Sequence, residues 1–187
     1  MKGNIVIKDL SKSFGNKVVF DSFSYVFPPV GTVVLKGPSG RGKTTLLRAI
    51  AGLEKDFGGE VSVPDGTRIS YMFQEDRLLP WLTARENVEF VCRDRQKSER
   101  LLVSLGLGGE LDKKSDLLSG GQKRRVAAAR ALAFDCDVLL LDEPFTGLDP
   151  ENKEALASLI RDKAKNTLVI AVTHSDADLL GGRIEEI

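Results

Sequence analysis

Gly37-Pro38-Ser39-Gly40-Arg41-Gly42-Lys43-Thr44-Thr45 fits the pattern of a glycine, four residues, a second glycine, a lysine and a hydroxyl residue. Residues 32–36 before it predict a β-strand, and residues 43–51 after it predict a helix. In that context the glycines let successive backbone amides turn toward one anion, and the helix adds its positive N-terminal end. The alternative is a glycine-rich surface turn that happens to carry a lysine. We predict that this loop binds Mg-ATP, with Lys43 on the β- and γ-phosphates and the Thr44 hydroxyl on Mg²⁺.

An acidic pair after a later strand offers the remaining chemistry that nucleotide hydrolysis needs. Val138-Leu-Leu-Leu-Asp142-Glu143-Pro144 is an apolar run that ends in two carboxylates, and such a run predicts a strand buried on both faces. Ligand sites of parallel sheets lie at the carboxyl ends of the strands. We expect Asp142 to hold the Mg²⁺ shell and Glu143 to act as the base toward the attacking water. Alone, an acidic pair at a strand end is more often an ordinary loop start, so this prediction depends on the phosphate loop.

Strand and helix patterns alternate along most of the chain, with Gly15-Asn16 and Pro28-Pro29 as breaks in the first third. This order predicts an α/β fold with a mainly parallel sheet, an antiparallel piece near the N-terminus and a helical insertion at about residues 83–118. We expect a single domain over residues 1–187. Strands are predicted at residues 4–10, 18–27, 32–36, 60–63, 69–73, 137–142, 167–172 and 183–187, helices at 43–51, 83–107, 119–133 and 151–165, and capping boxes at 83–86 and 119–122.

Composition excludes several classes of protein. The 187 residues include 27 Lys and Arg and 27 Asp and Glu, so the net charge is zero, which argues against a general nucleic-acid binder. No apolar run approaches the roughly 18 residues of a membrane-spanning helix, and the N-terminus does not fit a signal peptide. Cys92 and Cys136 are too few for a disulfide scaffold, and they lack the spacing of a zinc site.

Leu118-Ser119-Gly120-Gly121-Gln122, between the phosphate loop and the acidic strand, points to a known family. By itself this stretch is a plain loop-to-helix junction. From end to end, however, the chain resembles the ATP-binding cassette of ABC transporters, whose motifs follow here in the same order. The resemblance implies a P-loop NTPase core with an antiparallel N-terminal β subdomain. The other matching motifs are Phe14 in Ser13-Phe14-Gly15, Gln74 after the strand at 69–73, Gly147-Leu148-Asp149-Pro150 and His174.

The resemblance also implies roles for these residues. Phe14 would stack on adenine, where the family often has tyrosine, unless it is a core aromatic at a strand end. Gln74 would join the Mg²⁺ shell and sense the membrane partner, although an isolated glutamine is by default a solvated polar residue. His174 would contact the γ-phosphate and help Glu143 to hold the attacking water; otherwise it belongs to a capped helix start. Lys43, Glu143 and His174 are thus the expected catalytic residues, and all of residues 37–45 are expected to contact the nucleotide.

In the family, the active site is shared between two copies of the cassette. Residues 119–122 would bind the γ-phosphate held by the loop of the other copy, and Asp149 would connect the two sites across the interface. The resemblance therefore implies a homodimer that binds ATP and Mg²⁺ and acts on transmembrane permease subunits, together with a solute-binding protein in an importer. It places the chain in the cytoplasm, on the inner face of the cell membrane. A soluble ABC protein of repair, translation or cluster assembly is the alternative, but such proteins mostly carry two cassettes or long insertions.

The segment that begins at Gln74 is expected to meet the membrane partner. Its apolar side chains Leu78, Leu79 and Trp81 lie where the family docks a helix of the transmembrane subunit. The sequence of this segment is similar to that in importers of nitrate, sulfonates or taurine. Alternatively, these are core residues of the insertion. Residues 87–118 form a shorter stretch than in most relatives, which predicts a reduced helical arm. The last residue, Ile187, follows His174 closely, so we expect a motor without its own inhibitory domain.

Overall fold

The computed structural model describes residues 3–38, 40–173 and 176–187, and the predicted site residues Ser39 and His174 lie outside these ranges. The described residues form two β-sheets with α-helices packed around one of them. The strands are β1 (Val6–Phe14), β2 (Lys17–Val26), β3 (Gly31–Lys36), β4 (Gly58–Ser62), β5 (Ile69–Met72), β6 (Val138–Asp142), β7 (Leu168–Val172) and β8 (Arg183–Glu186), and the helices are α1 (Lys43–Ile50), α2 (Ala84–Cys92), α3 (Arg95–Ser104), α4 (Gly120–Ala133) and α5 (Pro150–Ala164).

The larger sheet has the strand order β5-β6-β7-β3-β8. Every neighbouring pair in it is parallel, which confirms the prediction of a mainly parallel sheet. The central strands β6 and β7 are buried at all their positions, as their continuous apolar sequences predict. Because only β7 separates β3 from β6, the loop that leaves β3 and the acidic pair that ends β6 lie at the same edge of the sheet.

The smaller sheet has the order β2-β1-β4 and is antiparallel. This arrangement confirms the predicted antiparallel piece near the N-terminus. The Gly15-Asn16 turn joins β1 to β2, so Phe14 pairs directly with Lys17 across the hairpin. Phe14 and Lys17 thus lie opposite each other at one end of the hairpin.

Alternate side chains of the parallel sheet enter two hydrophobic clusters. Leu139 and Leu141 of β6 pack into the cluster formed with α4 and α5, whereas Val138 and Leu140 pack with α1 and the smaller sheet. A strand with apolar side chains on both faces must be covered on both faces, because each exposed apolar side chain forfeits about 1.5–3 kcal/mol of burial. The sheet is therefore the middle layer, and its polar carboxyl edge remains open for the site.

The middle of the chain is helical, but it is not one continuous helix. Thr83 caps α2 through the predicted capping box with Glu86, whereas the predicted helix over 83–107 is interrupted at Arg93. Arg93 adopts a left-handed backbone conformation (φ 55°) at the end of α2, and Asp94 then caps α3 by accepting from the Lys97 amide at 2.9 Å. A strong N-cap within the charged stretch starts a second helix there.

No helix within the described ranges combines the length and the apolar character that crossing a bilayer demands.

Candidate functional site

The glycines of the phosphate loop occupy positions that larger residues would not tolerate. Gly40 (φ 76°) and Gly42 (φ 86°) are both in the left-handed region, and a Cβ on Gly42 would lie 2.0 Å from Val19 Cγ1. Gly42 is also the N-cap of α1, and it provides no side-chain acceptor for the first-turn amides. These amides and the helix dipole are therefore available to an anion at this end of α1.

Lys43 is the first residue of α1 and its ammonium group is turned back into the loop. It is only 5% exposed, and Nζ donates to the carbonyl oxygens of Gly37 at 2.7 Å and Pro38 at 2.9 Å. Burial lowers the pKa of this ammonium group, while the charges of Glu143 and Asp142 act in the opposite direction. A cation that is desolvated and held by neutral carbonyls is well placed to exchange them for phosphate oxygens.

Asp142 and Thr44 meet across the gap between β6 and α1. Thr44 Oγ1 donates to Asp142 Oδ1 at 3.2 Å. Asp142 is buried, and this burial raises the pKa of its carboxyl group, opposed by the Thr44 hydrogen bond and by Arg124. A hydroxyl and a carboxylate in contact form the hard-oxygen pair that Mg²⁺ prefers beside substrate phosphates. Thr44 and Asp142, two of the three residues predicted to hold Mg²⁺, thus fit that ion, and the third, Gln74, lines the same cavity.

Glu143 follows Asp142 in a strained backbone conformation. Its φ is 51°, which is uncommon for a residue with a side chain, and its amide donates to the Val172 carbonyl of β7 at 2.9 Å. Such conformations cost of order 1–3 kcal/mol and cluster at functional sites. The turn redirects the side chain at the end of β6, and Glu143 lines the same cavity as Lys43.

Phe14 is an exposed aromatic platform rather than a core residue, since 53% of it is accessible. Lys12 Nζ lies 4.8 Å from the ring centroid and is fixed by Glu54 at 3.3 Å and Asp56 at 3.0 Å. The anchored ammonium contributes a cation–π contact that holds the ring. The ring borders the same cavity as the phosphate loop.

One open cavity of about 370 Å³ joins these groups. Three of its residues, Lys17, Val19 and Val172, were not predicted as site residues from the sequence. A Cβ on Gly40 would be 2.6 Å from Lys17 Nζ, so this ammonium lies against the phosphate loop. The sequence could have indicated Lys17, because a lysine that pairs with Phe14 across a two-residue turn lies at the same end of the hairpin as Phe14. The cavity is lined by Phe14, Lys17, Val19, Gly40, Gly42, Lys43, Thr44, Thr45, Gln74, Asp142, Glu143 and Val172.

Residues 119–122 are outside this cavity. Ser119 caps α4 through the predicted capping box, in which the Gln122 amide donates to Ser119 Oγ at 3.3 Å and the Ser119 amide donates to Gln122 Oε1 at 2.9 Å. Ser119 and Gly120 are exposed. Within one chain, therefore, this helix start lines no part of the cavity bordered by the described residues of the phosphate loop.

Asp149 is likewise outside the cavity. It caps α5 by accepting from the amide and the side chain of Asn152 at 2.9 and 2.6 Å. Asn152 Oδ1 accepts in turn from Arg125 of α4 at 2.8 Å, which also donates to the Gly121 carbonyl at 3.3 Å. The two segments expected to act on a second copy are thus connected to each other within one chain.

The remaining predicted residues have mixed placements. Pro38 accepts from Lys43, Arg41 is exposed and Thr45 is half-buried. In the segment that follows Gln74, Trp81 is 66% exposed, whereas Leu78 packs against the core cluster. Leu79 is half-buried, and its backbone is bound by the Asn87 side chain at 2.9 and 3.1 Å. Of the three apolar residues expected in the docking surface, Trp81 is therefore the most exposed.

Comparison with protein families finds that residues 20–146 match the model of the ABC transporter family. The chain is 38% identical to a sulfate/thiosulfate import ATP-binding protein of Mycobacterium bovis, over 98% of this chain and 60% of that protein. It thus spans less than two thirds of the length of that relative. It is also 40% identical to an aliphatic sulfonates import ATP-binding protein of Pseudomonas aeruginosa, over 98% of this chain and 84% of that protein.

Solved structures agree with this assignment. The chain superposes with a TM-score of 0.85 on the ATP-binding cassette MJ0796 in a dimeric post-hydrolysis state bound to ADP and Pi, at 30% identity, with 98% of this chain and 94% of that chain covered. A second dimeric structure of the same cassette gives a TM-score of 0.86 at 29% identity. The similarity extends over the N-terminal sheet, the parallel sheet and the helices together.

Proposed function

Since the chain belongs to the ABC transporter family, we propose that it is the ATP-hydrolysing subunit of an importer and works as one domain with a helical insertion at about 83–118. The observation that carries the proposal is the single cavity that brings together Phe14, the phosphate loop, Asp142 and Glu143. Each group has a chemical counterpart in Mg-ATP: a ring for the base, amides and an ammonium for the phosphates, and oxygen ligands for the ion.

Mg-ATP, when bound, supplies the γ-phosphoryl group that water attacks. Lys43 and the first-turn amides of α1 would hold the phosphate oxygens, since both lie at the end of the loop. Thr44, Asp142 and Gln74 would hold the ion, with Thr44 and Asp142 already in contact. Glu143, which lines the cavity, would accept a proton from the attacking water. His174, outside the described residues, is proposed to contact the γ-phosphate beside Glu143.

The position of residues 119–122 supports a site completed by a second copy. Ser119 and Gly120 are exposed at the start of α4, yet they line no part of the cavity in their own chain. We therefore propose an ATP-dependent homodimer in which this helix start closes over the γ-phosphate held by the other copy. Asp149 would follow the same movement, because Asn152 and Arg125 connect it to α4.

A groove beside the segment after Gln74 is the proposed contact with the membrane subunits. Its volume is about 290 Å³, and it is lined by Arg77, Leu78, Pro80 and Lys123 together with residues 115–116 and Asp76. Trp81 and Leu117 remain 66% and 65% exposed. Apolar side chains beside a charged rim suit a helix of a permease. The chain would then act on the cytoplasmic side of the membrane, with a solute-binding protein on the other side.

The catalytic assignment is tested by paired substitutions. Lys43→Ala should abolish ATP binding, because it removes a charge-assisted contact. Glu143→Gln should keep ATP binding, lower kcat about 10²–10⁴-fold and trap an ATP-bound dimer visible by size-exclusion chromatography. Glu60→Gln, on the exposed strand β4, is the control for loss of a carboxylate. Hydrolysis by Glu143→Gln at the parental rate would exclude Glu143 as the base.

The shared site is tested at the start of α4. Ser119→Arg should leave ATP binding by the monomer intact and prevent dimerisation, since a long cation would occupy the space of the partner's phosphate. Ser104→Arg, exposed at the end of α3, is the matched control. An ATP-bound dimer of Ser119→Arg in undiminished yield would refute the role in the second copy.

A further inference from the structure

A single buried guanidinium group on α4 connects the two loops that carry the site residues. Arg124 is only 4% exposed and lies one turn after the start of the helix. Its Nη1 atom reaches the loop after β5, and its Nη2 atom reaches the loop after β6. The acceptors are the carbonyl oxygens of Phe73 (2.8 Å), Gln74 (2.9 Å), Asp142 (2.6 Å) and Glu143 (2.7 Å) and the carboxylate of Asp76 (3.2 Å).

The carbonyl groups that Arg124 binds lie where the sheet ladder ends. Strands β5 and β6 are neighbours, and their last paired residues are Met72 and Leu141. Beyond these residues β5 and β6 no longer pair with each other, so the carbonyl oxygens that follow need another donor. A planar guanidinium group presents its donors in a fixed fork and can satisfy both loops at once, whereas an ammonium group has three donors at one point.

These contacts bear on the geometry of the site. Glu143 has a strained backbone, and Nη2 donates to the carbonyl of Asp142 before it and to the carbonyl of Glu143 itself. Nη1 holds the carbonyl of Gln74, whose side chain lines the nucleotide cavity. One side chain therefore sets the separation of these two loops and ties both to the helix that begins with residues 119–122.

We propose that Arg124 is a positioning residue for hydrolysis: it fixes Glu143 and Gln74 relative to each other and to the start of α4. The inference deepens the proposed function and rests on it. Arg124 touches neither the phosphate loop nor any acceptor in it among the described residues, so its loss should disturb the hydrolytic step more than the binding of ATP.

Arg130 provides a matched control on the same helix. It is half-buried and donates to the carbonyl oxygens of Asp76 at 2.9 Å and Arg77 at 2.9 Å. It thus holds the loop after β5 through the same kind of contact, but it makes no hydrogen bond to residues 142–143 within the described part of the chain. The Arg130 variants therefore separate the effect of losing any arginine from α4 from the specific effect of losing the contact with Glu143.

The experiment compares Arg124→Lys, Arg124→Ala, Arg130→Lys and Arg130→Ala in the full chain. For both Arg124 variants we expect kcat to fall about 10- to 100-fold, the range that follows when a reacting group is misplaced by about 1 Å. The KM for ATP should change much less than kcat, because Arg124 has no hydrogen bond to the described part of the phosphate loop. The Arg130 variants should keep kcat within about threefold. Guanidinium at millimolar concentration should restore part of the rate of Arg124→Ala and none of any deficit in Arg130→Ala.

Hydrogen exchange gives a readout that does not depend on activity. Amides at 142–146 should exchange faster in Arg124→Ala than in the parent, while Arg130→Ala should accelerate exchange only at 73–77. Unchanged kcat in Arg124→Lys, or equal loss of kcat in the Arg124 and Arg130 variants, would overturn the inference. Failure of the proposed function has a different signature, namely full activity of Glu143→Gln, which leaves the Arg124 contacts in place.

Discussion

Gly42→Ala is the sharpest single test of the phosphate loop, and Gly52→Ala is its control. Both glycines adopt left-handed backbone conformations, with φ of 86° and 70°. A Cβ at position 52 would meet nothing within 4 Å, whereas at position 42 it would lie 2.0 Å from Val19 Cγ1 and 2.8 Å from Phe20 Cε2. The two substitutions therefore share the conformational penalty, and only the first adds a steric clash.

The magnitudes follow from these two contributions. A left-handed conformation costs an L-residue roughly 1–2 kcal/mol, and we expect Gly52→Ala to lose about this much free energy of unfolding. An overpacked methyl group costs about 1–3 kcal/mol more, so Gly42→Ala should lose about 2–5 kcal/mol in total. Its ATP affinity should also fall. If the displaced helix start loses one charge-assisted contact, worth about 1.5–3 kcal/mol, the dissociation constant rises about 10- to 150-fold.

The assay combines urea unfolding with titration of a fluorescent ATP analogue on each variant. Val19→Ala should partly rescue Gly42→Ala, because it removes the nearest clashing atom, and the coupling energy in a double-mutant cycle should be about 0.5–3 kcal/mol. Gly52→Ala should bind ATP as the parent does. Equal losses of stability in Gly42→Ala and Gly52→Ala, with parental ATP affinity in both, would refute the geometry described for the phosphate loop.

Two further substitutions probe the cavity. Lys17→Ala should weaken ATP binding by about 1 kcal/mol or less, the scale of an exposed ion pair, and should leave adenosine binding unchanged in the same calorimetric titration; weaker adenosine binding would contradict a contact with phosphate. Thr44→Val keeps the shape of the side chain but removes the Asp142 contact, so it should reduce the difference between ATP affinities measured with Mg²⁺ and with EDTA. A Thr44→Val protein that keeps the parental difference would exclude the hydroxyl as a ligand.

Features that depend on neighbours in the sequence could be predicted. The capping boxes at Thr83 and Ser119 require residues three positions apart, and both are present. The buried strand β6 is a continuous apolar run, and its parallel pairing follows from the helices between strands. The same applies to the phosphate loop, where the spacing of glycines and the flanking strand and helix carry the information.

Features that depend on distant residues could not be predicted. The break at Arg93 depends on one residue in a left-handed conformation. Helix propensity alone does not indicate such a break. In the sequence, Arg124 is one of several charged residues on a predicted helix. Four of its five acceptors are backbone carbonyls 18 to 51 positions away in the chain. Backbone groups have no sequence identity, so no pattern of residue types marks them as partners.

The start of α4 supports the proposal that a second copy completes the site. In the capping box, Ser119 Oγ uses a lone pair to accept from the Gln122 amide, which leaves its own O–H free to donate. The amides of Gly120 and Gly121 are first-turn groups without an intrahelical acceptor. A Cβ on Gly120 would meet nothing within 4 Å, whereas a Cβ on Gly121 would lie 3.3 Å from the Gly147 carbonyl oxygen, so the helix start is open at Gly120. Three donors on an exposed helix start suit an anion that their own chain holds elsewhere, and a second copy would supply one already bound to the loop that begins at Gly37.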